Sequence, residues 1–395
     1  MELLLHIGTE KTGSTAIQAW LDANDRGLAQ SGIHVARCLG RPDHRWLAIQ
    51  ARTPGRPVED LLSPGLQAAR DPAALGAHLA AALADEVAAA EAADCHLFVI
   101  SSEHLHSRLP TATEVNRVAA LLAPLFDGVE VLCYLRPQAE LHQSRLSVGV
   151  RALAHGPWAL EAFATDPAYY DYFALWQRWS AAFGEVTLVP FRRVGDVVQD
   201  FAARLGVSAT GPGPGARLNG RLDWRAGLLS HVLAGTPAAA RARPLLAALP
   251  WDDLPVDEPL QLSRDLVVRI NDAFRTSNRA LMAACPHLRP ADLTADPHRF
   301  PETGSVMQSF APWPAAEVLG ELILRLNAEL QLERARGQVL LAERALAGQG
   351  AEDPAAALAR ARALVALVVQ ADLPALRADL AQIGDSLAWL SARLD

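Results

Sequence analysis

The sequence predicts an α/β fold, a parallel sheet flanked by helices, with a C-terminal helical extension. Two observations support this prediction. Short, continuously apolar runs alternate with longer stretches of helical periodicity, which is the pattern of buried strands covered on both faces. From about residue 315 the pattern changes to long helical segments rich in Ala, Leu, Glu and Arg. We therefore predict an α/β domain over 1–314, with a helical part from about 217, and a helical extension over 315–395.

Four apolar runs are predicted to be the strands of the sheet. The first covers residues 2–8 and the others cover 96–101, 129–135 and 185–190. Each run is nearly continuous in hydrophobicity, which indicates burial on both faces. Helical stretches separate the runs, so the strands are expected to pair in parallel.

Helices are predicted after and between these strands. One begins at Ser14 and places apolar residues at helical spacing. The other predicted helices of the α/β domain cover 72–93, 112–126, 139–152, 158–183 and 196–205.

A stripe of leucine and isoleucine marks the C-terminal end of the chain. From Leu373 to Leu394 these residues recur at alternating steps of three and four, which predicts an a/d stripe along one helix face. The stripe either packs on a neighbouring helix of the same chain or joins a second copy as a coiled coil. The sequence leaves both open, so a homo-oligomer formed through the C-terminal helices is one predicted assembly.

Composition narrows the class of protein. The 395-residue chain is 51% hydrophobic and 20% charged, with a formal net charge of -8. A protein that binds DNA or RNA along an extended surface carries a basic field, so nucleic-acid binding is not expected.

The four cysteines form no Cys-x-x-Cys pair, which favours reduced thiols and a cytoplasmic location. No apolar run of the sequence reaches the roughly 18 residues of a membrane-spanning helix.

Lys11 is the only lysine of the chain, among 36 basic residues. It lies in a loop, residues 8–15, that follows a predicted strand and opens a predicted helix. Backbone amides and a helix N-terminus can bind phosphate in this setting. The glycine spacing equals that of a P-loop, so the sheet is expected to be P-loop-like. A Walker loop has lysine directly after its second glycine, whereas here Ser14 follows Gly13, which weakens a kinase interpretation.

The stretch HIGTEKTGSTAIQ around Lys11 resembles the 5′-phosphosulfate loop of sulfotransferases that use 3′-phosphoadenosine 5′-phosphosulfate (PAPS). A second match lies in VLCYLRPQAELHQSRLSV, where Arg136 ends a predicted strand and Ser144 follows eight residues later. In that family such a pair holds the 3′-phosphate of PAPS. Many members have Arg-x-Pro at the strand end, whereas this chain has Arg-Pro-Gln. The resemblance covers roughly residues 1–335 and is to bacterial, carbohydrate-sulfotransferase-like members.

The resemblance implies which residues bind PAPS as co-substrate. Arg136 and Ser144 would hold the 3′-phosphate, and Lys11 would stabilise the leaving 5′-phosphate as a compact charge. The residues implied to hold the 5′-phosphosulfate are Lys11, Thr12, Gly13, Ser14 and Thr15.

Sulfuryl transfer also requires a base that accepts the proton of the acceptor hydroxyl. The segment VISSEHLHS follows a predicted strand and contains Glu103, His104 and His106. Because the carboxyl ends of parallel strands face the ligand crevice, these side chains are candidates. We favour Glu103 as the base, with His104 as the alternative.

The predicted function is therefore transfer of a sulfuryl group from PAPS to a hydroxyl acceptor, first of all a carbohydrate, with no metal expected. Two other functions stay open. One is a P-loop-like nucleotide or sugar kinase, and the other is a non-catalytic scaffold that keeps the nucleotide fold.

Overall fold

The structure of the protein is a computed structural model. The structure describes residues 1–53, 72–151, 167–209, 222–234, 259–304, 316–349, 353–371 and 376–394, with a few single positions between these ranges. The chain divides into two compact units. Unit 1 comprises Met1–Ser144, Phe163–Gly220 and Arg264–Phe300. Unit 2 comprises Arg145–Ala162, Arg221–Ser263 and Pro301–Asp395. The predicted boundary at 314/315 stays a prediction.

A five-stranded, all-parallel sheet forms the centre of unit 1. Its strands are β1 (Glu2–Gly8), β2 (Ile33–Val35), β3 (Leu97–Ser101), β4 (Gly128–Leu135) and β5 (Val186–Pro190). Their order across the sheet is β2-β3-β1-β4-β5. In the central strand Leu3 is in register with Phe98 on one side and with Val129 on the other. The predicted α/β class with a parallel sheet is confirmed.

The strands form because their side chains are buried on both faces. Leu4, Leu5 and Ile7 of β1 are at most 3% exposed. Trp20 and Ile17 of the following helix pack into the same cluster as Leu4. Burial of one such aliphatic side chain contributes about 1.5–3 kcal/mol, which explains why a short apolar run suffices to define each strand.

Helices follow the strands in unit 1. They are α1 (Ser14–Gln30), α2 (Arg45–Ala51), α3 (Pro72–Ala92), α4 (His104–Arg108), α5 (Ala112–Leu122), α6 (Gln138–Arg151), α7 (Pro167–Tyr170), α8 (Tyr172–Phe183), α9 (Val197–Arg204), α11 (Arg264–Ala273), α12 (Arg275–Ala284) and α13 (Pro290–Leu293). Helix α6 continues from unit 1 into the residues of unit 2.

Two elements differ from the sequence prediction. Strand β2 has only three residues, too few for an apolar run to stand out from its surroundings. The helix predicted over 158–183 is interrupted at Asp171, where the carboxylate accepts a hydrogen bond of 3.0 Å from the Ala174 amide and starts α8. An aspartate in this position favours a new helix start over continuation of the preceding one. The first part of the predicted range, up to residue 166, lies outside the described residues.

Unit 2 is helical in its described part. Its helices are α10 (Trp224–Ala234), α14 (Ala316–Leu346), α15 (Pro354–Gln370) and α16 (Arg377–Leu394). The Asp353 carboxylate accepts a hydrogen bond from the Ala355 amide and caps the start of α15.

The leucine stripe of the C-terminal end packs within the chain. Helix α16 contacts both α14 and α15. Ile383, Leu387 and Leu390 of the stripe are buried. Because these side chains are buried within the chain, they are not available to a second copy. Self-association through the C-terminal helices stays a prediction.

The structure also bears on the expected absence of membrane-spanning helices and on the cysteines. Across the described helices, none is both long and apolar enough to cross a membrane. All four cysteines are free thiols.

Candidate functional site

The candidate site lies where β1 and β4 end side by side. From β1 the chain continues through α1 to β2, and from β4 it continues through α6 to β5, towards opposite edges of the sheet. Connections that diverge in this way open a crevice at the carboxyl ends of the two strands, the usual ligand position in open α/β sheets. The loop that contains Lys11 follows β1, and Arg136 follows β4.

The loop after β1 is fixed to the neighbouring strand. The Thr9 amide and the Thr9 hydroxyl both donate hydrogen bonds of 3.0 Å to the carbonyl oxygen of Tyr134. The Thr12 hydroxyl donates a 2.6 Å hydrogen bond to the Thr9 carbonyl and closes the turn. Lys11 has a φ of 64°, a left-handed conformation that is uncommon for a residue with a side chain. Such strained residues cluster at functional sites.

Helix α1 begins directly after this loop with an uncapped first turn. No side chain caps it, and the turn contains no acidic residue. Its N-terminal amides and the helix dipole therefore favour an anion. Ser14, the first helical residue, is only 4% exposed. Among the described residues its hydroxyl has no hydrogen-bond partner, so a buried donor is available at the same helix end.

Gly13 permits the tight packing of this helix start. Its φ is 87°, in the left-handed region that favours glycine. A Cβ at this position would lie 2.6 Å from Cγ1 of Val197 in α9. The loop therefore requires glycine here for its conformation and for space.

Arg136 joins the end of β4 to the loop. Its Nη1 donates a 3.1 Å hydrogen bond to the carbonyl oxygen of Lys11. The backbone carbonyl of Arg136 accepts a 2.6 Å hydrogen bond from the Tyr172 hydroxyl, and its guanidinium lies 5.9 Å from the ring centroid of Phe191. The structure thus brings together two residues that the sequence places 125 positions apart.

Glu140 bridges two arginines beside the loop. Its Oε2 accepts from Nε of Arg136 at 3.5 Å and from Nε of Arg192 at 3.4 Å, and its Oε1 binds Nη2 of Arg192. Burial opposes the charged carboxylate, but hydrogen bonds and charges from Arg192 and then Arg136 outweigh it. The pKa of Glu140 is therefore held below its ordinary value.

Ser144 lies on α6, the helix that follows Arg136, and is partly buried. Within the described part of the chain no hydrogen bond connects its hydroxyl to Arg136 or to another group. Ser144 therefore lies near the end of the second turn of α6. The structure shows no hydrogen bond between its side chain and Arg136.

Glu103 lies beside the start of the loop. Its Oε2 accepts a 2.6 Å hydrogen bond from Nε2 of Gln18 in α1. A Cβ on Gly8 would lie 3.1 Å from both Cα and Cβ of Glu103, so the two backbones approach closely. Glu103 therefore lies beside Gly8, the first residue of the loop, and its carboxylate is held by α1.

His104 points to a different neighbour. Its Nε2 lies 3.4 Å from Oδ2 of Asp43, and its buried Nδ1 has no hydrogen-bond partner among the described residues. Asp43 also accepts a 2.9 Å hydrogen bond from Nε of Arg45. Burial disfavours the charged form of Asp43, but His104 and Arg45 hold its pKa far below the ordinary value. The two candidate bases therefore have different supporting residues, Gln18 for Glu103 and Asp43 for His104.

Three other polar residues of unit 1 have structural roles. Arg193 forms an ion pair with Asp292. The Nε2 of His106 lies 2.9 Å from the Tyr169 carbonyl oxygen. His6 is fully buried, and burial lowers its pKa to about 3, which makes it a neutral core histidine.

Several supporting residues are not evident from the sequence. They are Gln18, Asp43, Glu140, Tyr169 and Tyr172. Tyr169, for example, donates a 2.7 Å hydrogen bond to Glu10 of the loop from 159 positions away. Of these five residues, Glu140 alone has a sequence pattern that could have indicated its contact. It stands four residues after Arg136 at the start of a predicted helix, and this spacing favours an ion pair.

Comparisons of this chain with models of protein families, with curated proteins and with solved structures find no match. The resemblance to sulfotransferases therefore depends on the two motifs themselves. In the described ranges, no group of three or more His, Cys, Asp or Glu side chains is arranged to hold a metal ion.

Proposed function

We propose that this protein is a PAPS-dependent sulfotransferase with a P-loop-like sheet. One observation carries the proposal: the Arg136 guanidinium lies against the Lys11 loop, with Nη1 3.1 Å from the Lys11 carbonyl oxygen. A phosphate-binding loop and a fork-shaped cation then share one crevice. This arrangement suits a nucleotide that carries phosphates at both its 5′ and 3′ positions, because arginine binds phosphate oxygens in pairs.

The α1 N-terminus supports binding of the 5′-phosphosulfate. The uncapped first turn of α1, which contains no acidic residue, and the unpartnered Ser14 hydroxyl supply donors for an anion. In this proposal the amides of residues 12–15 and the hydroxyls of Ser14 and Thr15 hold the anion. Lys11 places its ammonium near the bridging oxygen and stabilises the charge that develops there.

Arg136 and Ser144 would hold the 3′-phosphate. The Tyr172 hydroxyl donates a hydrogen bond to the backbone carbonyl of Arg136. Such support limits the motion of the arginine backbone and so favours binding. Ser144 adds a hydroxyl from α6.

Glu103 is the proposed base, and His104 is the alternative. Glu103 takes the proton of the acceptor hydroxyl while the acceptor oxygen bonds to sulfur. The bond between sulfur and the bridging oxygen breaks, and adenosine 3′,5′-bisphosphate leaves. Gln18 holds one Glu103 oxygen, which orients the carboxylate, and positioning of this kind supplies much of the catalysis in related group transfers.

The proposed acceptor is a carbohydrate hydroxyl, which follows from the resemblance to bacterial members alone. No metal is proposed to take part, and the proposed location is the cytoplasm.

Calorimetry on the whole chain tests this proposal against its two rivals. We expect adenosine 3′,5′-bisphosphate to bind at least tenfold more tightly than adenosine 5′-phosphate, since each charge-assisted hydrogen bond to the 3′-phosphate is worth about 1.5–3 kcal/mol. A kinase would instead prefer ATP with Mg²⁺ and gain nothing from a 3′-phosphate. A scaffold that has lost its site would bind none of the three, and either result contradicts the proposal.

A further inference from the structure

We propose that Arg192 is a second cation for the 3′-phosphate and that Glu140 is the counter-ion that this phosphate displaces. The inference rests on the proposed function and adds residues that neither the motifs nor the family resemblance assigns. Its basis is the Arg136–Glu140–Arg192 triad beside the loop.

The two guanidiniums of the triad converge on one atom. Nε of Arg136 and Nε of Arg192 lie 3.5 Å and 3.4 Å from the same Oε2 of Glu140. Arg192 lies two residues after the end of β5. Strand β5 pairs with β4, and β4 ends just before Arg136. A phosphate that replaced the Glu140 carboxylate would therefore meet both cations without a large movement of either backbone.

Both arginines remain accessible. The side chains of Arg136 and Arg192 are 28% and 25% exposed. The Nη1 of Arg192 donates a 3.0 Å hydrogen bond to the Ala291 carbonyl, which holds the side chain in place. A ligand can reach these groups from solvent.

The charges explain why the carboxylate must give way. Two arginines and one glutamate leave a net charge of +1 in the triad. A phosphate monoester dianion outcompetes a single carboxylate for two guanidiniums. The 3′-phosphate and the Glu140 carboxylate repel each other when both lie between Arg136 and Arg192. Glu140 then either turns away or takes up a proton.

Proton uptake follows from the groups that face Glu140. Arg192 and Arg136 hold its pKa below the ordinary value, against the effect of burial. When a phosphate occupies these cations, that stabilisation weakens and the carboxyl gains affinity for a proton. Binding of a 3′-phosphate is therefore expected to be coupled to proton uptake by Glu140, which increases as the pH falls.

Arg193 provides a matched control. It is adjacent to Arg192, but it pairs with the buried carboxylate of Asp292 and donates a 3.0 Å hydrogen bond to the His287 carbonyl. Its guanidinium therefore has a structural role in the ion pair with Asp292.

The test is calorimetric titration of the full chain with adenosine 3′,5′-bisphosphate and with adenosine 5′-phosphate. The ratio of the two affinities isolates the contribution of the 3′-phosphate. We expect Arg192→Gln to reduce this ratio about tenfold or more, since a charge-assisted bond is lost. Arg193→Gln should leave the ratio unchanged, and Glu140→Gln should raise it because the competing carboxylate is gone. A melting scan of each variant confirms that it is folded.

Proton coupling is measured in the same titrations at pH 5.5 in buffers of different ionisation enthalpy. The heat of bisphosphate binding should depend on the buffer in the unmodified chain and much less in Glu140→Gln. If the unmodified chain shows no preference for the 3′-phosphate, the proposed function fails together with the inference. If the preference is present but Arg192→Gln matches Arg193→Gln, only the inference is overturned.

Discussion

Arg136 and Lys11 contact each other through a 3.1 Å hydrogen bond from the arginine Nη1 to the lysine carbonyl oxygen. The bond connects the end of β4 to the loop that follows β1. It places a guanidinium, a strained loop and an uncapped helix start in one crevice of the sheet. The proposed sulfuryl transfer depends on this arrangement. The guanidinium, the loop and the helix start can each be tested by substitution.

The buried hydroxyl of Ser14 predicts opposite effects on stability and on binding. Ser14→Ala removes an unsatisfied buried group and should raise the free energy of unfolding by about 1 kcal/mol. It should also weaken binding of adenosine 3′,5′-bisphosphate severalfold, because a donor to the 5′-phosphate is lost. Denaturant unfolding and calorimetry measure the two effects.

Ser102→Ala is the matched control for Ser14→Ala. Ser102 is also fully buried, with a hydroxyl that has no partner among the described residues, but it follows β3 instead of opening α1. It should gain similar stability with unchanged nucleotide affinity. Equal affinity in both variants would remove Ser14 from the phosphate site.

Lys11→Arg should separate binding from turnover. The positive charge is kept, so affinity for adenosine 3′,5′-bisphosphate should change less than about threefold. The planar guanidinium fits a bridging oxygen poorly, and turnover should fall by about a hundredfold. The measurement is release of the bisphosphate from PAPS with the best acceptor found among hydroxyl compounds. Unchanged turnover would exclude Lys11 from the chemistry.

The two candidate bases predict different kinetic results. If Glu103 accepts the proton, Glu103→Gln should lower kcat by a factor of about 10² or more at nearly constant KM. Asp43→Asn, which removes the negative charge that supports both His104 and Arg45, should then have a much smaller effect on kcat. The reverse order of the two variants would assign the base to His104, with Asp43 as its positioning residue.

The sequence predicts much of this architecture, and the reasons are local. Strands such as β1 and β4 are continuous apolar runs, and the loop before Ser14 has glycines at a recognisable spacing. Contacts between distant segments leave no local pattern. The pairing of His104 with Asp43 joins residues 61 positions apart, and Arg192 reaches Glu140 from 52 positions away. These contacts depend on strand order, which the sequence did not specify.

The buried side chain of His6 predicts how the free energy of unfolding depends on pH. Burial lowers the pKa of His6 from an ordinary value of 6.5 to about 3. The unfolded chain therefore binds a proton that the folded chain excludes, and the stability due to neutral His6 is complete above pH 6.5 and lost as pH falls towards 3. The expected loss for this one group is about 1.4 kcal/mol per pH unit within that window.

Denaturant unfolding between pH 7 and pH 4 measures this loss. His6→Gln should flatten the dependence, whereas His298→Gln, at an exposed position, should leave it as in the unmodified chain. Identical slopes for the two variants would contradict the assignment of His6 as a neutral core residue.

The most direct test of the central claim is the affinity ratio between adenosine 3′,5′-bisphosphate and adenosine 5′-phosphate, measured for the unmodified chain and for Arg136→Gln. We predict a ratio of at least about ten in the unmodified chain and a ratio close to one in the variant, because Arg136 supplies the charge-assisted contact to the 3′-phosphate. A ratio that is the same in both proteins would contradict the claim that Arg136 and the Lys11 loop hold the two phosphate groups of one nucleotide.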